Sequence, residues 1–163
     1  MLNIRKEQFD VCLQQNEEAF LDYVVRRVQD EHPSDAPADV LRRMVANGIK
    51  RARSHGLYTD VQLVTFVQIM FDVAPNFDQQ RLLNEILKDE SLTVDQRWDK
   101  LFEEDPEIEK AWDEADSPDF IDSDEWFPEH KEDDEPFTEK DFQELLKEIE
   151  NLNRAGKLPV TKG

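Results

Sequence analysis

Apolar side chains recur at three- and four-residue spacing along the first 115 residues, which is the pattern of helices that bury one face. The pattern predicts a helix from Arg5 to Glu31, a second ending near His55, and a third between Thr59 and Pro75. No run of residues alternates between apolar and polar positions in the manner of a strand. The sequence therefore predicts an all-α fold, a compact bundle of about five to six helices.

The third helix is predicted to lie at the centre of the bundle. Its apolar residues cover most of the helix circumference, as is typical of a helix surrounded by others, and they are Val61, Leu63, Val64, Phe66, Val67, Ile69, Met70, Phe71 and Val73. Gly48 lies on the apolar face of the second helix, where glycine permits a close approach of another element. Gly56 fits the left-handed position that ends many helices.

Capping residues predict where the shorter helices begin. Thr93 and Gln96 have the spacing of a capping box, and Asp105 precedes a proline at the first helical position. Asn76 or Asp78 is expected to cap a helix over Gln79–Lys88. The last helix of the bundle is expected to end near Ala115.

The second helix carries a basic face opposite its apolar one. Its cations are Arg42, Arg43, Lys50, Arg51 and Arg53. Two interpretations fit this pattern. The face is either solvated, with Asp39 and Arg43 paired one turn apart, or it is a docking surface for the chain's own acidic segment or another acidic surface.

The chain changes character after the bundle. From Glu103 to Glu150 it holds 22 of the 39 acidic residues but only 4 of the 20 basic ones, so this part carries almost all of the net charge of −19. The predicted organisation is a helical domain (1–115), an acidic linker containing aromatic residues (116–137), an amphipathic helix (138–156) and a frayed end (157–163).

The acidic linker and the amphipathic helix are the candidate partner-binding site. Acidic residues steer a basic partner towards the surface, and aromatic residues anchor interfaces. The candidate residues are Asp119, Phe120, Asp122, Asp124, Glu125, Trp126, Phe127, Asp133, Asp134, Glu135, Phe137, Phe142, Leu145, Leu146 and Ile149. An alternative interpretation has the same aromatic residues tether the segment to the protein's own bundle.

The sequence contains no pattern of catalytic or cofactor-binding residues. Cys12 lies in an apolar helix face and is expected to be a buried thiol, and the three histidines are isolated from one another. There is no metal-ligand spacing, no glycine-rich phosphate loop and no serine-nucleophile motif. We therefore expect neither an enzyme nor a bound metal or cofactor.

The same features predict where the protein acts. The chain lacks a secretory h-region and an apolar run of the roughly 18 residues that span a membrane. Its acidity argues against direct binding to nucleic acid or to an anionic membrane. We expect a cytoplasmic protein whose partner is another protein with a basic surface.

Residues 48–101 resemble a group of small bacterial proteins encoded beside type VI secretion spike (VgrG) and effector genes. The features that carry the resemblance are GIKRARSHGL (48–57), FVQIMFDVAPNFD (66–78), Ile-Leu-x-Asp (86–89) and Arg97-x-x-x-Leu101. Ala74 stands where the group usually has glycine. The resemblance implies an accessory role in loading or assembling an effector or its adaptor onto the spike, and it implies no active site.

The sequence and the resemblance together predict a non-enzymatic, chaperone- or adaptor-like factor for a type VI effector, its adaptor or the spike. The alternative is an immunity protein that neutralises a basic toxin, such as a nuclease, through its acidic surface. A DNA-mimicking inhibitor is disfavoured because the composition of 116–136 is not that of a rigid surface.

Overall fold

The structure, a computed structural model, describes residues 17–128, 140 and 142–150, and within this part all regular structure is helical. The helices are α1 (Glu17–Glu31), α2 (Ala38–Ser54), α3 (Asp60–Asp72), α4 (Arg81–Leu87), α5 (Val94–Lys100), α6 (Pro106–Ala115) and α7 (142–150), with short 3-10 helices at Phe77–Gln79 and Ser123–Trp126. The all-α prediction is confirmed. The predicted start of the first helix and Cys12 lie outside the described residues, and no helix in the described part is long and apolar enough to cross a membrane.

Helix α3 is the core element that the sequence predicts. It packs against α2 and α1, and its inward side chains, such as Phe66 and Val67, are fully buried. The helix begins with a capping box in which Thr59 and Gln62 each bond to the other's backbone N–H. Val61 is the exception on this helix, because its side chain faces solvent.

Two glycines set the geometry of α2. A Cβ atom added at Gly48 would lie 3.1 Å from both the Met70 sulfur and a methyl carbon of Val67, so glycine is what lets α2 and α3 approach closely here. Gly56 has a φ of +88°, and its N–H donates to the Arg53 carbonyl at 2.9 Å. Both predicted roles are confirmed.

The structure corrects one predicted cap. The helix predicted at Gln79–Lys88 is α4, which begins at Arg81 and is capped by the Gln80 side chain, an acceptor for the Leu83 N–H at 2.9 Å. Asn76 and Asp78 do not cap it, because their side chains bond to distant parts of the chain. The predicted caps at Thr93 and Asp105 are confirmed.

A cluster of aromatic rings joins α3 to the shorter helices. Phe66 lies 4.8 Å from Phe77 and 6.3 Å from Trp98, and Phe77 lies 5.5 Å from Trp112, all between ring centroids. The Trp112 indole N–H donates to the Leu101 carbonyl at 2.8 Å. These contacts position α5 and α6, which carry many of the acidic residues.

Candidate functional site

The basic face of α2 contacts two distant parts of the chain, helices α1 and α7. Arg42 bonds to Glu18 of α1 and lies 4.4 Å from the Phe142 ring. Lys50 pairs with Glu148 of α7. Arg53 bonds to Glu17 and to the Ile149 carbonyl, each at 2.9 Å. In the described part of the chain, this face is therefore the intramolecular docking surface that the sequence offered as one of two interpretations.

The centre of this face is a largely buried ionic cluster around Asp78. Arg51 donates to both Asp78 carboxylate oxygens, through Nε at 2.8 and 3.0 Å and through Nη2 at 2.7 Å. His55 Nε2 lies 2.7 Å from Asp78 Oδ2. Arg51 also donates to Glu125 at 3.0 Å. The guanidinium thus holds two carboxylates from different parts of the chain with the fork geometry that arginine favours.

The cluster shifts the pKa values of its members. Burial by itself would raise the pKa of Asp78, but the hydrogen bonds from His55 and Arg51 outweigh it, and the pKa lies below the ordinary value of 3.8. Burial opposes the charge on Arg51 as well. Its hydrogen bonds to Asp78 and Glu125 nevertheless keep the pKa of the guanidinium above its ordinary range. Asp78 is therefore held in its ionised form.

The lowered pKa of Asp78 predicts a dependence of stability on pH. A carboxyl group whose pKa is lower in the folded protein stabilises the fold fully above its unfolded pKa, and this contribution is lost as the pH falls through the folded pKa. We expect the free energy of unfolding to fall below a pH of about 4, and the fall to be shallower in Asp78→Asn. Urea unfolding between pH 6 and 2 measures this (about four points suffice). Asp113→Asn, which removes an exposed carboxylate, is the control. If the free energy of unfolding of Asp78→Asn fell with pH as steeply as that of the wild type, the dependence would not come from Asp78.

Residues 120–127, called the docked segment, lie across the end of α3 and the side of α2. Two buried asparagine side chains bond to its backbone. Asn76 donates to the Phe120 carbonyl and accepts from the Asp122 N–H, both at 3.0 Å. Asn47 donates to the Trp126 carbonyl at 2.9 Å. The docked segment is therefore held at both of its ends by its main chain.

The side chains of the docked segment add three further contacts. The Trp126 ring lies 4.5 Å from the Phe71 ring. The Arg43 guanidinium lies 4.2 Å from the centre of the Phe127 ring, within the range of cation–π attraction. Glu125 bonds to Arg51. Three successive side chains, those of Glu125, Trp126 and Phe127, thus each contact a complementary side chain of the bundle.

The predicted partner-binding residues fall into three groups. The apolar ones contact the chain's own helices. In the docked segment, Phe120, Trp126 and Phe127 are half-buried. In α7, the buried residues are Phe142, Leu145, Leu146 and Ile149. Among the acidic ones, Asp119 and Asp124 are exposed, whereas Asp122 and Glu125 are half-buried. Asp133, Asp134, Glu135 and Phe137 lie outside the described residues. The aromatic tether, which the sequence left as an alternative, is the arrangement in this structure.

An exposed aromatic residue, Phe102, is the feature that sequence reasoning missed. It lies just after the end of α5, and its side chain is 49% exposed. Its ring lies 5.1 Å from Trp98 and 6.0 Å from Trp112. No local signal in the sequence separates Phe102 from its neighbour Leu101, which is fully buried.

Acidic residues are frequent in the sequence on both sides of Phe102. The exposed carboxylates of α5, α6 and the residues around them are Asp95, Asp99, Glu103, Glu104, Glu107, Glu109, Asp113, Glu114 and Asp116. We call Phe102 and these carboxylates the acidic surface. Lys100 and Lys110 lie in the same stretch, but the acids outnumber them, and an aromatic residue in an acidic surface suits a basic partner.

A cavity of about 680 Å³ lies beside the ionic cluster. Its wall includes Arg51, His55, Asp78, Lys88 and Arg97. Ser54 also lines it, but its hydroxyl donates to the Arg51 carbonyl at 2.5 Å and so does not donate to His55, as a Ser-His-Asp relay requires. In the part of the chain that the structure describes, no group of three or more His, Cys, Asp or Glu residues is placed to hold a metal ion.

Comparison with known proteins identifies no relative. No protein-family model matches the chain, and no curated protein or solved structure matches it.

Proposed function

We propose that this chain is a non-enzymatic, protein-binding accessory factor of a type VI secretion cluster. It acts in the cytoplasm as a chaperone or adaptor for an effector, or for the adaptor or spike that carries the effector. Its acidic surface holds a basic surface of that partner, and Phe102 is the anchor of the contact.

The observation that carries the proposal is the half-exposed ring of Phe102 in a stretch of the chain rich in exposed carboxylates. Aromatic side chains are frequent among the residues that anchor protein interfaces. The cations of α2 are paired with carboxylates and aromatic rings of the same chain. They therefore do not neutralise the acidic surface, which is left to attract a basic partner.

The resemblance supports the secretion role. Its residues include Gly48, Gly56, Phe66 and Phe77, which shape the helix contacts of α2 and α3 and the aromatic cluster. They form the scaffold that positions α5 and α6. The resemblance thus supports the type of protein, while the acidic surface supports the mode of binding.

The test is co-purification with tagged effector, adaptor and spike proteins encoded beside the gene. We expect Phe102→Ala to weaken the complex by about tenfold or more, as is usual for an aromatic anchor, and Glu103→Lys to weaken it through charge. Point variants are preferable to deletion of 116–154, because that deletion would remove buried core residues such as Phe142 and Ile149.

Val61→Ala is the control, since Val61 is also an exposed apolar residue, at 60%, and lies outside the acidic surface. It should leave the complex unchanged. Wild-type binding by Phe102→Ala and Glu103→Lys together would contradict the proposed mode of binding.

The immunity alternative is separated by a growth assay. The acidic surface lies on folded helices and is therefore also suited to block a basic toxin. Expression of the neighbouring effector with and without this chain distinguishes the two roles. A chaperone changes the level or secretion of the effector, whereas an immunity protein restores growth.

A further inference from the structure

The docked segment occupies a groove that has the construction of a peptide-binding site. The groove, called here the α2–α3 groove, is formed by Arg43, Asn47, Arg51, Phe71 and Asn76. Two of these residues bond to backbone atoms of the segment, and three contact its side chains. Backbone contacts of this kind hold a bound segment whatever its side chains, while side-chain contacts select which sequence binds.

The selective contacts define one ligand chemistry. Arg51 binds a carboxylate, Phe71 contacts the next aromatic ring, and Arg43 lies over the ring after that. A cavity of about 320 Å³ continues at the end of the segment and is lined by Asn47, Lys50, Arg51, Ser54, Glu125 and Pro128. The groove therefore favours an acidic residue followed by two aromatic ones.

Part of the groove is held in place by residues outside the segment that fills it. Both oxygens of Asp78 bond to Arg51, and the Asp78 main-chain carbonyl accepts from Asn84 at 2.9 Å. These contacts hold the Arg51 guanidinium in place by residues outside the segment. Asn47 and Phe71 are positioned by helices α2 and α3. Such preorganisation is what allows a site to bind a ligand supplied from elsewhere.

We propose that the α2–α3 groove is a binding site for an acidic–aromatic linear peptide of a partner protein. The chain's own residues 120–127 fill it in the free protein and compete with that ligand. The charge of the groove and the fit of the chain's own segment identify this ligand class. The site is separate from the acidic surface at Phe102 and does not depend on the function proposed for it.

The probe is a fluorescein-labelled peptide of residues 117–128, SPDFIDSDEWFP, titrated with the full-length protein and followed by fluorescence anisotropy. The tethered segment competes at an effective concentration on the order of millimolar, so the wild-type chain should bind the peptide weakly. Glu125→Lys places a cation against Arg51 and releases the tethered segment. We expect this variant to bind the peptide about tenfold tighter or more than the wild type.

Asp124→Lys is the matched control, because it makes the same charge change at an exposed neighbouring side chain. It should bind as weakly as the wild type. Adding Asn47→Ala to Glu125→Lys should remove about tenfold of the gained affinity, and a probe carrying Trp126→Ala should bind poorly to all variants. Trp126→Ala in the full-length chain is a second releasing variant, and far-UV circular dichroism verifies that each variant is folded.

Failure of both folded releasing variants to bind the probe would overturn the proposal. Binding that is indifferent to Asn47→Ala, or equally strong in Asp124→Lys, would place the peptide elsewhere and would also overturn it. Light scattering supplies one further outcome. A wild-type dimer together with no probe binding would assign the groove to a second copy of the chain and overturn the proposal.

Discussion

Replacing Arg51 by alanine is expected to lower the free energy of unfolding by about 3–5 kcal/mol, the usual cost of removing one partner of a buried ion pair. The side chains of Arg51 and Asp78 are only 15% and 5% exposed. The variant removes the guanidinium that both Asp78 and Glu125 bond to, and water does not fully replace it at a buried carboxylate. Urea unfolding followed by far-UV circular dichroism measures the loss.

Arg81→Ala is the matched control for this prediction. Arg81 and Glu85 also form an ion pair, at 3.4 Å, but their side chains are 78% and 60% exposed. An exposed pair contributes little, so the control should lose less than about 1 kcal/mol. Equal and small losses in both variants would show that the cluster around Asp78 does not stabilise the fold.

Phe66→Ala is expected to have an effect of similar size, about 3–5 kcal/mol, through loss of packing. Phe66 is fully buried, and its ring contacts those of His55, Phe77 and Trp98. Truncation at this site leaves a cavity where α3 meets α5, and rigid rings around it limit collapse. The same urea measurement reports the change.

Phe102→Ala is the control for Phe66→Ala, since it removes an equal side chain that is half exposed. Only its partial ring contacts are lost, and we expect a change of about 1 kcal/mol. A loss at position 102 as large as that at position 66 would contradict the burial assigned to these two rings. Weaker partner binding by Phe102→Ala would then follow from loss of the fold and would not identify Phe102 as part of an interface.

Local signals in the sequence predicted most of the helices. The apolar circumference of α3, the left-handed Gly56, and the caps at Thr59, Thr93 and Asp105 act within about four residues. Such signals are readable because the interacting groups are close in sequence as well as in space. The prediction for Asn76 and Asp78 was wrong for the opposite reason, since capping competes with hydrogen bonds to residues far along the chain.

The candidate site was only partly predictable. Acidic and aromatic residues around Trp126 stand out in the sequence, and so does the basic face of α2. Their mutual contact was one of two open interpretations. The sequence contains many carboxylates that could pair with Arg51. Its partners in the structure, Asp78 and Glu125, are 27 and 74 residues away, and charge alone does not identify them.

The sequence by itself determined that this is an all-α chain with its central helix at α3 and with nearly all of its net charge in the last third. Periodicity, caps and composition are properties of neighbouring residues, so they need no fold to be read. Only the tertiary structure decided that Asn47 and Asn76 hold the docked segment and that Phe102 is left in solvent. Those outcomes depend on which surfaces meet, and burial is a property of the whole packed chain.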